Sequence, residues 1–339
     1  MIAYIIFLII FILFLNKFLL KKNILLNETG DIHQKFSSKS KIPLTGGFFI
    51  FLGFLYFLNN NILSFILFTF IIFNLGIFSD LKFIKSANNK FIFQILLILI
   101  YAIFNDVQIN DTRIYILDEI LNNNYINYLF VSFCILVVVN GTNFIDGMNT
   151  LAVGYYLLVS FIVFFLHLDQ IIIINNISII YILILLLTVF ILNMSNQLFL
   201  GDSGSYLLGF SFSTFLISIY NWNLIISPFF IILLLWYPCY ENLFSILRKN
   251  IFKRSAMNPD AQHFHQLIFF FIKKKYKLKT ISANLLTAQI INIYNLCVFV
   301  LGSKFISNSE IQALIILFSI VLYTTIYSKL FVFKFKKDT

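Results

Sequence analysis

Charge is scarce in this sequence. Of 339 residues only 11% are Asp, Glu, Lys or Arg, against roughly 25% in an ordinary soluble domain, and acids are the scarcer sign, 14 against 24 basic residues. Cysteine is nearly missing as well. Cys134, Cys239 and Cys297 each lie in an apolar run with no CxxC pair and no clustered His, which excludes a disulfide framework and a zinc site. The first 20 residues lack a basic leading region and a small-residue cleavage site, and Lys17, Lys21 and Lys22 follow the apolar run rather than precede it. The expectation is therefore a first membrane helix with its N-terminus outside, not a signal peptide.

What is present in excess is apolar surface: 60% hydrophobic and 19% aromatic residues, with a mean hydropathy of +0.93. This composition belongs to an integral membrane protein. The 44 Phe, with abundant Ile, Asn and Lys, also carry the mark of an AT-rich genome. Single loop Asn or Lys residues therefore have little weight, and position carries the argument.

Apolar runs able to span roughly 30 Å of hydrocarbon recur at about 2–20, 43–58, 62–78, 90–104, 127–141, 150–168, 177–193, 203–219, 224–244, 281–301 and 311–331. The expected fold is an all-α polytopic membrane protein of about 11 transmembrane helices, forming one integral membrane domain over residues 1–339. Lys and Arg accumulate in cytoplasmic loops. They cluster after the first run (Lys21, Lys22, Lys35, Lys39, Lys41), after the third (Lys82, Lys85, Lys90), after the ninth (Arg248 to Lys279) and at the end (Lys334, Lys336, Lys337), leaving only Arg113 and Lys304 on the other side. That sorting predicts an external N-terminus and a cytoplasmic C-terminus. Alternation within the longer external segment 105–126, turning at Asn110-Asp111, predicts a short β-hairpin.

With this topology the suggestive polar stretches share one face: KIPLTGG (41–47), SDLKFIKS (79–86), NGTNFIDGMN (140–149), NQLFLGDSGS (196–205) and NPDAQHFHQL (258–267). Together they point to one composite site at the inner membrane surface. In FLGDSGS, Asp202 stands where a helix running through Gly204 and Ser205 is expected to begin. Free backbone N–H groups and the positive end of the helix dipole would then face a ligand. A carboxylate there holding Mg²⁺ recruits phosphate, because Mg²⁺ takes one or two carboxylates and completes its shell with phosphate oxygens and water. The plainer reading of the same residue is an N-cap.

In order and placement these stretches resemble the polyprenyl-phosphate N-acetylhexosamine-1-phosphate transferases, glycosyltransferase group 4. NFIDGMNTLAVG resembles that family's N-x-x-D-G-x-D-G-L-A, and FLGDSGSYLLGF its F-x-G-D-x-G-S-x-x-L-G. PDAQHFHQLI resembles P-D-x-x-H-x-H-H-L of the enterobacterial-antigen-initiating branch, while IPLTGG and GIFSDLKFIKS resemble its paired-glycine loop and its G-x-x-D-D-x-x-x-L-S stretch.

The resemblance implies transfer of a sugar 1-phosphate from a UDP-N-acetylated sugar to a polyprenyl phosphate such as undecaprenyl phosphate, with Mg²⁺ (or Mn²⁺), at the cytoplasmic face of a bacterial inner membrane. The products are a polyprenyl-diphosphate-sugar that initiates a cell-surface glycan such as lipopolysaccharide, and UMP. Besides membrane lipids it implies no nucleic-acid partner, and it leaves a homodimer open. By the same resemblance Asp80, Asp202, His263 and His265 are the catalytic candidates, with Asp202 the metal ligand. Asn143, Asp146, Asn149, Gly46 and Gly47 are the substrate-binding candidates. Each has a plainer reading: a solvated loop acid for Asp80, a turn acid for Asp146, solvated loop imidazoles for the histidines, and close helix packing for the two glycines. As cations the histidines would attract a diphosphate.

Three positions depart from the pattern: Ser79 stands where the family has a first acid, Asn149 where it has a second loop acid, and Gln266 where a third His is common. They leave open a catalytically altered relative. The lipid I synthase of peptidoglycan is a second reading, disfavoured by the short HFH run. A transporter using intramembrane acids is a third, but internal repeats are missing and Glu241, its best acid, lies near the inner end of its run beside Arg248.

Overall fold

The computed structural model describes residues 2–27, 41–57, 63–168, 179–251, 253 and 260–335. His33, Lys35, Lys39, Arg254, Asn258, Pro259, Lys336 and Lys337 lie outside the described residues. The described residues form helices α1 (Ile2–Lys22), α2 (Gly46–Phe54, prolonged by a 3₁₀ turn Leu55–Phe57), α3 (Leu63–Asp80), α4 (Ala87–Phe104), α5 (Tyr115–Leu121), α6 (Asn124–Ile145) and α7 (Leu151–Phe165). They continue with α8 (Ile179–Met194), α9 (Gly201–Trp222), α10 (Pro228–Ile251), α11 (Phe264–Tyr276), α12 (Thr280–Ser303) and α13 (Ser309–Phe335). No strand occurs among the described residues.

Seven described helices, α1, α3, α4, α6, α10, α12 and α13, are long and apolar enough to cross a membrane, and the chain is a multi-pass membrane protein. α7 and α8 are apolar but shorter, at 15 and 16 residues, and α2 has only nine. α9 has the length, 22 residues, but opens with GDSGS. It sits in the middle of the bundle, packed chiefly on α3, α6 and α2, so its serines and glycines face protein rather than lipid. Between helices in hydrocarbon the attraction is close van der Waals packing, which small residues permit. A Cβ on Gly76 of α3 would come within 2.2 Å of the Ser203 Cα, and one on Gly141 of α6 within 2.1 Å of the Pro238 carbonyl oxygen.

Pro238 interrupts α10 from within and cannot donate to the carbonyl one turn back. That carbonyl, of Leu234, instead accepts a hydrogen bond from the Tyr155 hydroxyl at 2.9 Å. A missing backbone bond in α10 thereby becomes a tie to α7.

The segment 105–126 corrects the expected hairpin. Its polar side chains fold it onto itself before strands can pair: Asn127 both donates to and accepts from the Ile109 backbone (2.9 Å each), and Asp118 accepts from the Thr112 amide and hydroxyl at 2.7 and 2.6 Å. YILDEIL then forms α5. Arg113 fixes this end of the bundle, donating to the carbonyls of Leu224, Ile225, Ile226 and Ser307. That cluster lies just past the C-terminus of α9, whereas the polar stretches gather at its N-terminus.

Candidate active site

At the N-terminal end of α9 the termini of several helices meet around a cavity of about 700 Å³. Gly201 turns the chain into the helix with φ +71°, a left-handed conformation, and a Cβ there would meet the Asp80 carboxylate at 2.8 Å. The helix thus begins at Gly201, one residue ahead of the start expected at Asp202, and Asp202 lies in its first turn. Two of its orphan N–H groups are already taken. Asp80, the last residue of α3, accepts from the backbone N–H of Asp202 at 2.8 Å and of Ser203 at 3.1 Å. A carboxylate from a neighbouring helix thus occupies the anion-binding end of α9.

Asp202 is not an N-cap. Its Oδ1 accepts from Asn143 Nδ2 at 2.8 Å, and its Oδ2 accepts from the Ser79 hydroxyl in a short hydrogen bond and faces Lys90 Nζ at 3.3 Å. Asn143 is steadied by a second bond to the Ser205 hydroxyl. Asp146 follows the last turn of α6 and faces the same cavity. Burial, and then the charges of Asp202 and Asp80, push its carboxyl well above the usual range.

Asn149 also lines the cavity, and its orientation is fixed from behind: Nδ2 donates to Asn196 Oδ1 at 2.7 Å, and its backbone N–H donates to Asn284 Oδ1 at 2.9 Å.

The opposite wall is formed by Asp260, His263 and Gln266 of the DAQHFHQ stretch (260–266). His263 lines the cavity, with Nδ1 2.8 Å from Glu241 Oε1 on α10. Gln266 accepts from the His263 backbone N–H at 3.0 Å, so this departure from the family pattern closes the first turn of α11. Asp260 meets Arg248 through two bonds of 2.8 and 3.2 Å. Burial works to raise the Asp260 carboxyl, but the Arg248 hydrogen bond and charge, with those of His263 and Lys249, hold it below the usual range.

Two expectations are not met as stated. His265 does not reach the cavity: it is fully buried, stacked on His263 at 5.6 Å, and its Nε2 lies 2.5 Å from where a Cβ of Gly147 would be. Burial pushes its imidazole down to about 3, against the opposing pull of Glu241, so it is neutral near pH 7 and supplies no cationic attraction. Gly46 and Gly47 are likewise absent from the cavity wall. Their amides donate to the Phe199 and Leu200 carbonyls, and Cβ atoms on them would meet the Leu200 Cα at 2.8 Å and the Gly204 amide at 2.7 Å. Their place is explained by close packing against the start of α9.

Two other residues, Lys90 on the cavity wall and Glu241 behind His263, escaped the sequence reading. Lys90 counted there only as a topological charge, one among many lysines in a lysine-rich chain. Its signal was its position in the first turn of α4, next to the acid of α3. Glu241 was weighed only as a transporter acid; nothing in sequence spacing pairs it with a histidine 22 residues away.

The model of the family described as "Glycosyl transferase family 4" matches residues 62–220. That stretch runs from α3 through α9 and contains Asp80, Lys90, Asn143, Asp146 and Asp202 in the geometry just described. Across it the chain is similar to glycosyl transferase family 4.

Two relatives extend the likeness of this chain. It is 28% identical over 204 residues to a Bacillus subtilis (strain 168) protein named probable undecaprenyl-phosphate N-acetylglucosaminyl 1-phosphate transferase, covering 60% of this chain but only 56% of that protein's length. It is 29% identical over 243 residues to the undecaprenyl-phosphate alpha-N-acetylglucosaminyl 1-phosphate transferase of Thermotoga maritima (strain ATCC 43589 / DSM 3109 / JCM 10099 / NBRC 100826 / MSB8), covering 71% of each.

Proposed function

We propose that this protein is a member of family 4 that transfers a sugar 1-phosphate from a UDP-N-acetylated sugar of the N-acetylglucosamine type to undecaprenyl phosphate, at the cytoplasmic face of a bacterial inner membrane. The observation that carries the reading is the cavity itself. It brings Asp80, Asp146, Asp202, Lys90 and His263 together with Leu26, Leu44, Ile84 and Phe91, a wall suited to diphosphate at one part and to the start of a lipid chain at another. The names of both relatives point the same way.

In the proposed reaction an oxygen of the lipid monophosphate attacks the phosphorus that bears the sugar. A new P–O bond forms, the P–O bond to UMP breaks, and UMP leaves with the bridging oxygen, so no oxidant or reductant is required. Anion meets anion in this step, and preorganised positive charge and hydrogen-bond donors lower its barrier. Lys90 is the cationic donor this chain offers from one wall, and His263 presents its Nε2 from the other.

A divalent cation fits the donor set only as an ion shared with substrate. No group of three or more His, Cys, Asp or Glu converges on a point among the described residues, whereas Mg²⁺ needs only one or two carboxylates when phosphates and water supply the rest. Asp202 Oδ1 accepts one hydrogen bond, from Asn143, and retains a lone pair. Asp202 and Asp146 are therefore the residues that would hold Mg²⁺ or Mn²⁺, which when bound would offset charge on the diphosphate and the leaving UMP.

The test is incubation of the purified protein with labelled UDP-N-acetylated sugars and undecaprenyl phosphate, with and without Mg²⁺. The expected result is a lipid-linked diphospho-sugar with equimolar UMP; lipid product from none of these sugars would overturn the reading.

A further inference from the structure

Glu241 is 1% exposed in the body of α10, and a carboxylate taken out of water is costly unless every lone pair finds a donor. Its three donors come from two other elements, the start of α11 and α13. Oε1 lies 2.8 Å from His263 Nδ1 and 3.3 Å from the Phe264 backbone N–H, and Oε2 accepts from the Tyr323 hydroxyl of α13 at 2.7 Å. A carboxylate so placed has only acceptors to offer, so the proton between it and His263 sits on Nδ1.

With Nδ1 occupied, Nε2 is the nitrogen left toward the cavity, where Asp260 Oδ1 stands 3.9 Å away. The ring cannot swing freely, because Phe144 flanks it at 5.0 Å and His265 stacks on it at 5.6 Å with an 8° interplanar angle. Tyr323 is itself wedged against Phe264 at 4.4 Å and Tyr240 at 4.9 Å. The last helix of the chain thereby braces a cavity side chain through one buried carboxylate. None of this is needed to hold α10 in place: an apolar side chain at 241 would pack there without a buried charge.

We propose that Glu241 is a positioning residue for His263: it fixes the Nδ1–H tautomer and the ring plane, so that Nε2, with its lone pair, faces the cavity as the acceptor for the proton of the attacking lipid phosphate. Tyr323 holds Glu241 in the rotamer this requires. The inference rests on the transfer reaction proposed above, and it is the arrangement by which a second group commonly orients an imidazole.

The experiment is a double-mutant cycle on Glu241→Gln and His263→Gln in the full-length protein in detergent, read by transfer rate and by the ¹⁵N spectrum of labelled histidine. Glu241→Gln keeps shape and volume but cannot fix the tautomer. It is expected to lower kcat by about 100-fold, with a much smaller change in KM for the UDP-sugar, and the double variant is expected to be no slower than His263→Gln alone. The His263 ring nitrogens should read as Nδ1-protonated in the unaltered protein and shift in Glu241→Gln.

Losses that multiply in the double variant, or unaltered turnover in Glu241→Gln, would overturn the inference. So would a His263 nitrogen spectrum that does not change. If Glu241→Gln does not fold, Tyr323→Phe removes one of the three donors and should shift the same nitrogens, and an unchanged spectrum there is equally decisive. Absence of any transfer by the unaltered protein would count against the reaction, whereas the nitrogen shifts decide the positioning role without turnover.

Discussion

Asp80 caps the helix that carries Asp202: its carboxylate accepts the Asp202 backbone N–H at 2.8 Å and that of Ser203 at 3.1 Å. The two acids are thus joined through backbone, with Asp80 setting where Asp202 stands. A carboxylate engaged by the positive end of a helix gains both hydrogen bonds and dipole attraction.

Asp80→Ala is accordingly expected to lower the stability of the protein by about 1–2 kcal/mol and to lower transfer through misplacement of Asp202. Asp80→Asn, which keeps one acceptor oxygen, should fall between Asp80→Ala and the unaltered protein on both scales. Thermal unfolding in detergent and initial rates check this together. Equal inactivity of both variants with unchanged unfolding temperatures would instead assign Asp80 a direct part in the chemistry.

The Ser79 hydroxyl donates to Asp202 Oδ2. Ser79→Asp would place two carboxylates at that distance, a repulsion of about 4 kcal/mol at 4 Å for an effective dielectric constant near 20. The expected outcome is a lowered unfolding temperature without divalent cation and a larger rise on adding Mg²⁺ than the unaltered protein shows. A cation-independent unfolding temperature in both proteins would remove Asp202 as the shared metal ligand.

Lys90 pairs with Asp202 at 3.3 Å, each side chain being 26% exposed. At that exposure the pair contributes little to folding, under about 1 kcal/mol. Lys90→Gln is expected to leave the unfolding temperature nearly unchanged while lowering transfer by about 100-fold, because charge facing a reacting phosphate acts in the transition state. Comparable losses of stability and activity would show that its part is structural.

His265 is held neutral by burial, its imidazole pushed from an ordinary value of 6.5 down to about 3. For a base whose folded value is depressed, the stability tied to the neutral form is fully present above the unfolded value and is lost as pH falls through the interval below it. The unaltered protein should lose stability between about pH 6.5 and pH 3, and His265→Gln should lose less over that window. Unfolding temperatures measured across pH test this; parallel curves for the two proteins would contradict it.

Much of the candidate site was legible because its residues sit in short motifs whose chemistry is local. Asp202, Asp80, Asn143, Asp146 and His263 could each be named from sequence, and the structure gathers them at one end of α9. His265 could not be told apart from His263, since HxH spacing says nothing of which ring faces a cavity. Gly46 and Gly47 were misplaced for a related reason: paired glycines signal close approach, but whether to a ligand or to a helix is decided by what lies opposite, here Leu200 and Gly204.

The sequence by itself determined that this is a multi-pass helical membrane protein, because apolar run length and the scarcity of charge are properties of the chain that need no partner. It also determined the gathering of acids and histidines into a few polar stretches. Only the tertiary structure decided which atom of each residue is free. Asp80, a catalytic candidate by sequence, caps a helix; Glu241, in sequence only an acid near the inner end of its run, contacts a histidine; 105–126, expected as a hairpin, coils into α5. In each case the deciding hydrogen bond comes from a residue distant in sequence or from a side chain competing with the backbone. Such bonds are made or lost according to how the helices pack.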